Sequence, residues 1–449
     1  MPSVHRSVRP RRMLLGLLVV TGLLLAACGN SSSSSSSTST TSGTAQPITG
    51  VPGVTDTEIH FAAFGTQANN PLGTCVLTCY TQGIKAYFAF RNSQGGVQGR
   101  KLVLTKSLDD ELGNNQARAL EVVSANDTFA AFSATQLPSG WGDVAKAGIP
   151  LYTWSIHPDA ATGQTGIFGY TGVICTVCTN RALAYAGTLV HATRVATLGY
   201  GISPNSKQCA DSSAATIDKY GKDTGQKAVY TADNLAFGLP NGIGPEVTAM
   251  KKAGVDFIAG CLDLNGMKTL AQELERQGMG SVPMYHPNTY DAAFVKAAGN
   301  LFEGDIVGVG FRPFESAPGN SQLADFQTWM KSSGSPISEL AMYGWINADL
   351  AYQGILKAGS HFDRASVIAA TNTLTDYTAG GLTAPVDWSR QHIAPTEADP
   401  ATHGAVHDCF SFVRVVNGAF QLVGDPTKPF LCWDGTNRDW SAPTSMSFK

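Results

Sequence analysis

Apolar residues recur along this chain in two alternating rhythms. Residues 57–65 are a mostly apolar run ending at Gly65, which predicts a first strand. Residues 80–92 follow at helical spacing, with Tyr80, Ile84, Tyr87 and Phe88 on one side and Phe90 beside them. Gly95 and Gly96 close that helix, as C-terminal glycines do. Residues 101–105 predict a second strand. Residues 114–126 predict a helix that presents Ala117, Leu120, Val123 and Ser124 on one face. Residues 129–132 read as a short buried strand, and after a further helix residues 149–154 repeat the unit. Beyond residues 167–170 the alternation resumes, with strands at 194–200, 227–231, 255–260 and 282–285 and helices at 208–220, 244–252 and 267–277. Repeated β-α units imply parallel sheets with helices on both faces, and two such series imply two lobes. The tail differs. Residues 410–416, Asn417-Gly418 and residues 419–423 predict a hairpin, because Asn-Gly supplies the two positive φ angles of a type I′ turn.

The N-terminus has another character. Arg6, Arg9, Arg11 and Arg12 precede an apolar run of 15 residues, 13–27, which ends in Leu25-Ala26-Ala27-Cys28. A membrane span needs about 20 apolar residues, so this length fits a signal peptide better. Seven serines, 31–37, open a Ser/Thr-rich stretch that buries nothing and serves as a tether. Residues 1–27 are thus expected to be a signal peptide and 28–50 a tether.

Composition narrows the classes. The chain has 449 residues, 43% apolar and 14% charged, with 31 Lys+Arg against 34 Asp+Glu. That is enough apolar mass for sizeable cores. A net charge of −3 without a basic run argues against nucleic-acid binding. Among nine cysteines, removal of Cys28 leaves an even number, which suits an exported protein. Spacing suggests Cys75–Cys79, Cys175–Cys178, Cys209–Cys261 and Cys409–Cys432, the last flanking the hairpin. Cross-pairing of the first two pairs stays open, as does a redox or zinc role for Cys175-x-x-Cys178.

Several motifs carry a family resemblance. Leu25-Ala26-Ala27-Cys28 resembles a bacterial lipobox, in which the cysteine is lipidated and becomes the new N-terminus; a plain secretory signal is the alternative. Gly53-Val54-Thr55-Asp56-Thr57-Glu58-Ile59, Gly95-Gly96-Val97-Gln98-Gly99-Arg100-Lys101-Leu102, Asp109-Asp110, Ala147-Gly148-Ile149-Pro150-Leu151 and Ala253-Gly254-Val255-Asp256 resemble, in order and spacing, the type I periplasmic solute-binding proteins of the leucine/isoleucine/valine group. The resemblance spans residues 50–440. It implies an α/β fold of two lobes, each a parallel sheet with helices on both faces, joined by three hinge crossings. Lobe one would be 54–170 and 310–390, and lobe two 171–309 and 391–449. It implies a monomer without a cofactor, closing on a small ligand and delivering it to an ABC-type permease and its ATPase. It places the protein on the outer face of the bacterial cytoplasmic membrane, held by a lipid on Cys28. Presentation of the ligand to a signalling partner is the alternative.

Ligand residues are expected where strands end, the usual position in open α/β sheets. In lobe one these are Thr66, Gln67, Thr135, Gln136, Trp154 and Ser155. In lobe two they are Tyr200, Ser203, Asn205, Asp263, Asn265, Asn288 and Tyr290. The resemblance implies that first-lobe hydroxyls and amides take a carboxylate, while a second-lobe aromatic and acid take an ammonium. The chain departs from that pattern. Gly201-Ile202-Ser203-Pro204-Asn205 stands where Tyr-Gly is expected, and Asn265 stands where the acid belongs. Either Asp263 takes that role or the ligand is an amide, a small organic acid or another solute that is not an α-amino acid. His403 and His407 with Asp408 and Cys409 offer a weak metal reading, because Pro400 and Gly404 break helical spacing. No HExxH, GxSxG or phosphate-binding loop is present, so an enzyme is not expected.

Overall fold

The computed structural model describes residues 47–449 apart from 72, 173, 174, 176 and 399–406. The expected signal peptide, Cys28, most of the tether and His403 lie outside the described residues. The first sheet takes its strands from the first β-α series: β1 (Glu58–Gly65), β2 (Lys101–Asp109), β3 (Ala130–Ala134), β4 (Leu151–Thr153) and β5 (Ile167–Gly169). They lie in the order β2-β1-β3-β4-β5, all parallel. The intervening helices are α1 (Leu77–Ser93), α2 (Asn115–Ala125), α3 (Trp141–Lys146) and α4 (Pro158–Ala161). An aromatic core forms on this sheet, with Phe132 against Phe61, Phe88 and Tyr152, and Tyr152 stacked on Phe168.

The chain then crosses to a second sheet. It comprises β6 (Arg194–Tyr200), β7 (Lys227–Leu235), β8 (Phe257–Cys261), β9 (Met284–His286) and β10 (Ile306–Val309). The connecting helices are α5 (Arg181–Leu189), α6 (Pro204–Thr224), α7 (Gly244–Ala253), α8 (Leu264–Arg276) and α9 (Ala292–Ala298). A second crossing leads to α10 (Leu323–Ser332), α11 (Glu339–Ala358) and α12 (Arg364–Thr371). Helix α11 packs on α1 at close range because Gly83 and Gly344 face the partner backbone. A Cβ on Gly83 would lie 1.8 Å from the Ala341 carbonyl oxygen, and one on Gly344 2.0 Å from that of Tyr80. Asn347 of α11 donates to the Tyr80 hydroxyl (2.6 Å) and the Thr153 carbonyl (2.7 Å), locking this returning helix to the first sheet. A third crossing returns to β11 (His407–Val416), β12 (Ala419–Leu422), β13 (Phe430–Asp434) and β14 (Thr444–Met446) on the second sheet.

Three expectations need correction. The second sheet is mixed rather than parallel: β6 to β10 are parallel, but β11 adds antiparallel to β10. The chain reaches β11 from the third crossing rather than through a β-α unit, the connection that returns a strand parallel to its neighbour. Asn417 (φ 53°) and Gly418 (φ 70°) then form the tight turn that pairs β11 antiparallel with β12. Cys409–Cys432 forms as expected on the flanks of the hairpin, where it joins β11 to β13. Helix α2 buries Asn115, Ala119 and Val122, while Leu120 is 46% exposed, because the helix is seated half a turn from the expected face. Helix α6 begins at Pro204, earlier than expected: Ser203 caps it and Pro204 suits its first position. The other three disulfides join Cys75–Cys79, Cys175–Cys178 and Cys209–Cys261.

Candidate functional site

Parallel strands point their carboxyl ends at the loops that carry most of the expected ligand residues. On the first sheet, Thr66 follows β1 and accepts from the Gln136 amide (3.2 Å) after β3. Gln67 is exposed; its side-chain oxygen accepts from the Thr78 amide (2.9 Å) at the start of α1. Thr135 is fully buried, and its hydroxyl lies 2.7 Å from Asp110 Oδ2 and 2.8 Å from the Leu137 carbonyl. Trp154 is buried and its indole donates to the Thr135 carbonyl (3.0 Å). Ser155 has φ 65°, a costly conformation for a residue with a side chain, and donates to the Thr171 carbonyl (3.2 Å). Here the sequence reading missed His157. Its Nε2 donates to the same Thr135 carbonyl (3.0 Å), and burial pushes its pKa down to about 4, so the ring is neutral.

On the second sheet, Tyr200 ends β6 and its hydroxyl donates to Asp263 Oδ1 (3.2 Å). Asp263 follows β8 and caps α8 by accepting from the Gly266 amide (2.5 Å). Burial raises the Asp263 pKa against those two hydrogen bonds. Cys209–Cys261 and the Ser206 hydroxyl, which donates to the Cys261 carbonyl (2.5 Å), bind the start of α6 to this loop. Asn288 is exposed. Tyr290 turns away into an aromatic cluster, stacked on Phe314 at 5.0 Å, and donates to Glu315 (2.5 Å). Below it, buried His286 holds the loop by meeting Thr289 (3.0 Å) and Asp305 (2.7 Å).

The two sets of loops meet. Asn205 of α6 donates to the Ile156 carbonyl and lies 3.3 Å from His157 Nδ1. Asn265 donates to the Pro71 carbonyl (3.1 Å), and Thr74 reaches Asp291 (3.4 Å). The expected residues thus fall into Thr66–Thr135–Gln136–Trp154 on one side and Tyr200–Asp263 on the other, with Asn205 and Asn265 bridging the seam. Glu339, held by Tyr343, has its pKa pushed up to about 7 by burial, opposed by that hydrogen bond and aided by Asp291. No periodicity or motif marks Glu339, because only the return of α11 brings it to the seam. Among the described residues, no His/Cys/Asp/Glu group has metal-binding geometry, and no helix is long and apolar enough to cross a membrane.

Two sheets thus turn their strand ends toward each other across a polar seam. The sequence model of the periplasmic binding proteins matches residues 73–419. The chain belongs to the periplasmic binding protein family. This is a family of periplasmic, and so extracytoplasmic, binding proteins. No curated protein is significantly similar in sequence. Solved structures share the two-lobed fold of this periplasmic binding protein. A leucine binding protein, LivK, from Thermotoga maritima superposes with TM-score 0.63 at 14% identity, covering 82% of this chain and 98% of that one. A fatty acid ABC transporter substrate-binding protein from Thermomonospora curvata gives 0.62 at 16% identity, covering 84% and 94%. The branched-chain amino acid binding protein LivJ from Streptococcus pneumoniae, solved with isoleucine, gives 0.60 at 15% identity, covering 82% and 99%. These identities establish a shared fold, not a shared ligand.

Proposed function

We propose that this binding protein is a lipid-anchored receptor that clamps a small polar solute between its lobes and hands it to an ABC-type permease and its ATPase. Lobe one comprises 54–170 with 310–390, and lobe two 171–309 with 391–449. The observation that carries this reading is the seam. Loops from the carboxyl ends of both sheets meet through Asn205–Ile156, Asn265–Pro71 and Thr74–Asp291. Among the described residues few hydrogen bonds hold it, which suits a hinge that a ligand closes. Gln67, Thr135, Gln136, Trp154, Ser155, Tyr200, Asp263, Asn265 and Asn288 form or support the site, and Tyr290 backs it only through the aromatic cluster on Phe314. The receptor works as a monomer. Cys28 carries the lipid and residues 28–50 hold the body off the membrane, two or more acyl chains being needed for a stable anchor.

A two-part experiment tests this. Cell fractionation should find the protein in the membrane fraction, and Cys28→Ala should prevent lipidation and leave it unanchored. The same distribution and mass for both proteins refutes the anchor. A thermal-shift screen of amino acids, amides, amines and small organic acids should raise the melting temperature with at least one compound. Ligand at 100 times its Kd adds about 2.7 kcal/mol. A flat screen counts against the clamp.

A further inference from the structure

Two buried polar atoms on opposing loops have no hydrogen-bond partner among the described residues. One is Gln136 Nε2, a donor, on the loop after β3; the other is Asp263 Oδ2, an acceptor, on the loop after β8. Asp263 is only 8% exposed, and an unpaired buried carboxylate oxygen calls for a donor, above all a cationic one. Two of the hydroxyls that could hold a ligand carboxylate are already committed. The single Thr135 hydroxyl hydrogen is taken by Asp110 or Leu137, and that of Ser155 by Thr171. The charge balance points the same way. Near the seam, Asp263, Glu315 and Glu339 hold tyrosine hydroxyls rather than cations. Lys207 is paired with Asp211 and Asp233, and Arg312 donates to the Gly381 and Ala317 carbonyls and to Ser447.

We propose that the solute is an organic amine without a carboxylate, its ammonium on Asp263 and a neutral carbonyl or hydroxyl oxygen on Gln136. This rests on the clamp reading above and separates the protein from a receptor for free amino acids. An amino acid would carry its carboxylate into a seam rich in acids, where the Thr135 and Ser155 hydroxyls are already spent and it would stay poorly paired.

Calorimetry on the mature receptor with matched compounds tests it. Leucine, leucinamide, 3-methylbutylamine and 4-methylpentanoate share one skeleton; the same four forms on the phenylalanine and serine skeletons complete the panel. The amide or amine member should bind at least about 10-fold tighter than its amino acid, and the carboxylic acids should not bind. Asp263→Asn keeps an effective helix cap, so its melting temperature should stay close to that of the wild type, while affinity for the bound amine falls about 30-fold or more. If an amino acid or a carboxylic acid binds tightest, this inference fails and the clamp stands. If the amine binds Asp263→Asn as tightly as the wild type, the assignment of Asp263 fails. If no member binds, the inference is refuted and the clamp loses its support with it.

Discussion

His157 offers a sharp test, because its chemistry belongs to both the fold and the seam. Its Nε2 donates to the Thr135 carbonyl and its Nδ1 lies 3.3 Å from the Asn205 amide nitrogen, which needs an acceptor there. Both contacts are satisfied by the neutral ring. Burial lowers its pKa from 6.5 to about 4, the Thr135 hydrogen bond opposing. The unfolded chain therefore takes up a proton at a higher pH than the folded one. Between pH 6.5 and 4 the unfolded state holds more protons, so stability must fall as pH falls through that window. At about 1.4 kcal/mol per pH unit the loss is about 3 kcal/mol. His157→Gln retains a donor for Thr135 and does not titrate. Urea unfolding of both proteins from pH 7.5 to 4 should show the wild type losing about 3 kcal/mol more than the variant. His392, also lowered to about 4 by burial, is common to both proteins and cancels in the difference. Parallel pH profiles would refute the buried neutral imidazole. Small-angle scattering on the same samples should show the wild type expanding at pH 4, when an Nδ1–H would face the Asn205 N–H groups.

Two further outcomes follow from buried or linked groups. Cys209–Cys261 closes a loop of sequence separation 52, worth about 4 kcal/mol of unfolded-state entropy, so replacing both cysteines with serine should lower stability by up to that amount in chemical denaturation. Replacing Cys175 and Cys178, only 3 apart, should cost much less, and equal losses would contradict the loop-entropy account. Glu339 has its pKa raised to about 7, chiefly by burial, so the folded state takes its proton first and stability declines as pH rises from 4.5 to 7. Glu339→Gln should thus be more stable than the wild type at pH 8, by up to about 3 kcal/mol, and equal to it below pH 4.5; an unchanged melting temperature at pH 8 would refute the strained carboxylate.

What the chain order alone determined is substantial. Alternating apolar periods gave away strands at β1, β3, β6 and β8 and the helices between them, because each element must bury one face locally. Asn417-Gly418 specified its hairpin, since few other dipeptides accept two positive φ angles. The departure at Asn265 from the acid expected of an amino-acid receptor stands in the sequence itself.

Tertiary structure decided the rest. That Thr135 is spent on Asp110, that Tyr290 packs away on Phe314, and that Asn205 rather than Ser203 spans the seam depend on side-chain directions that strand position leaves free. Hydropathy points to the wrong face of α2 because the buried stripe contains Asn115, a polar residue that accepts from the Gly140 amide. Glu339, His157 and the unpaired Asp263 oxygen acquire meaning only when α11 returns to the first sheet and the two sets of loops meet. Secondary structure answers to periodicity within a dozen residues. A binding cleft is made by contacts between residues far apart in the chain, and their distances are set by packing.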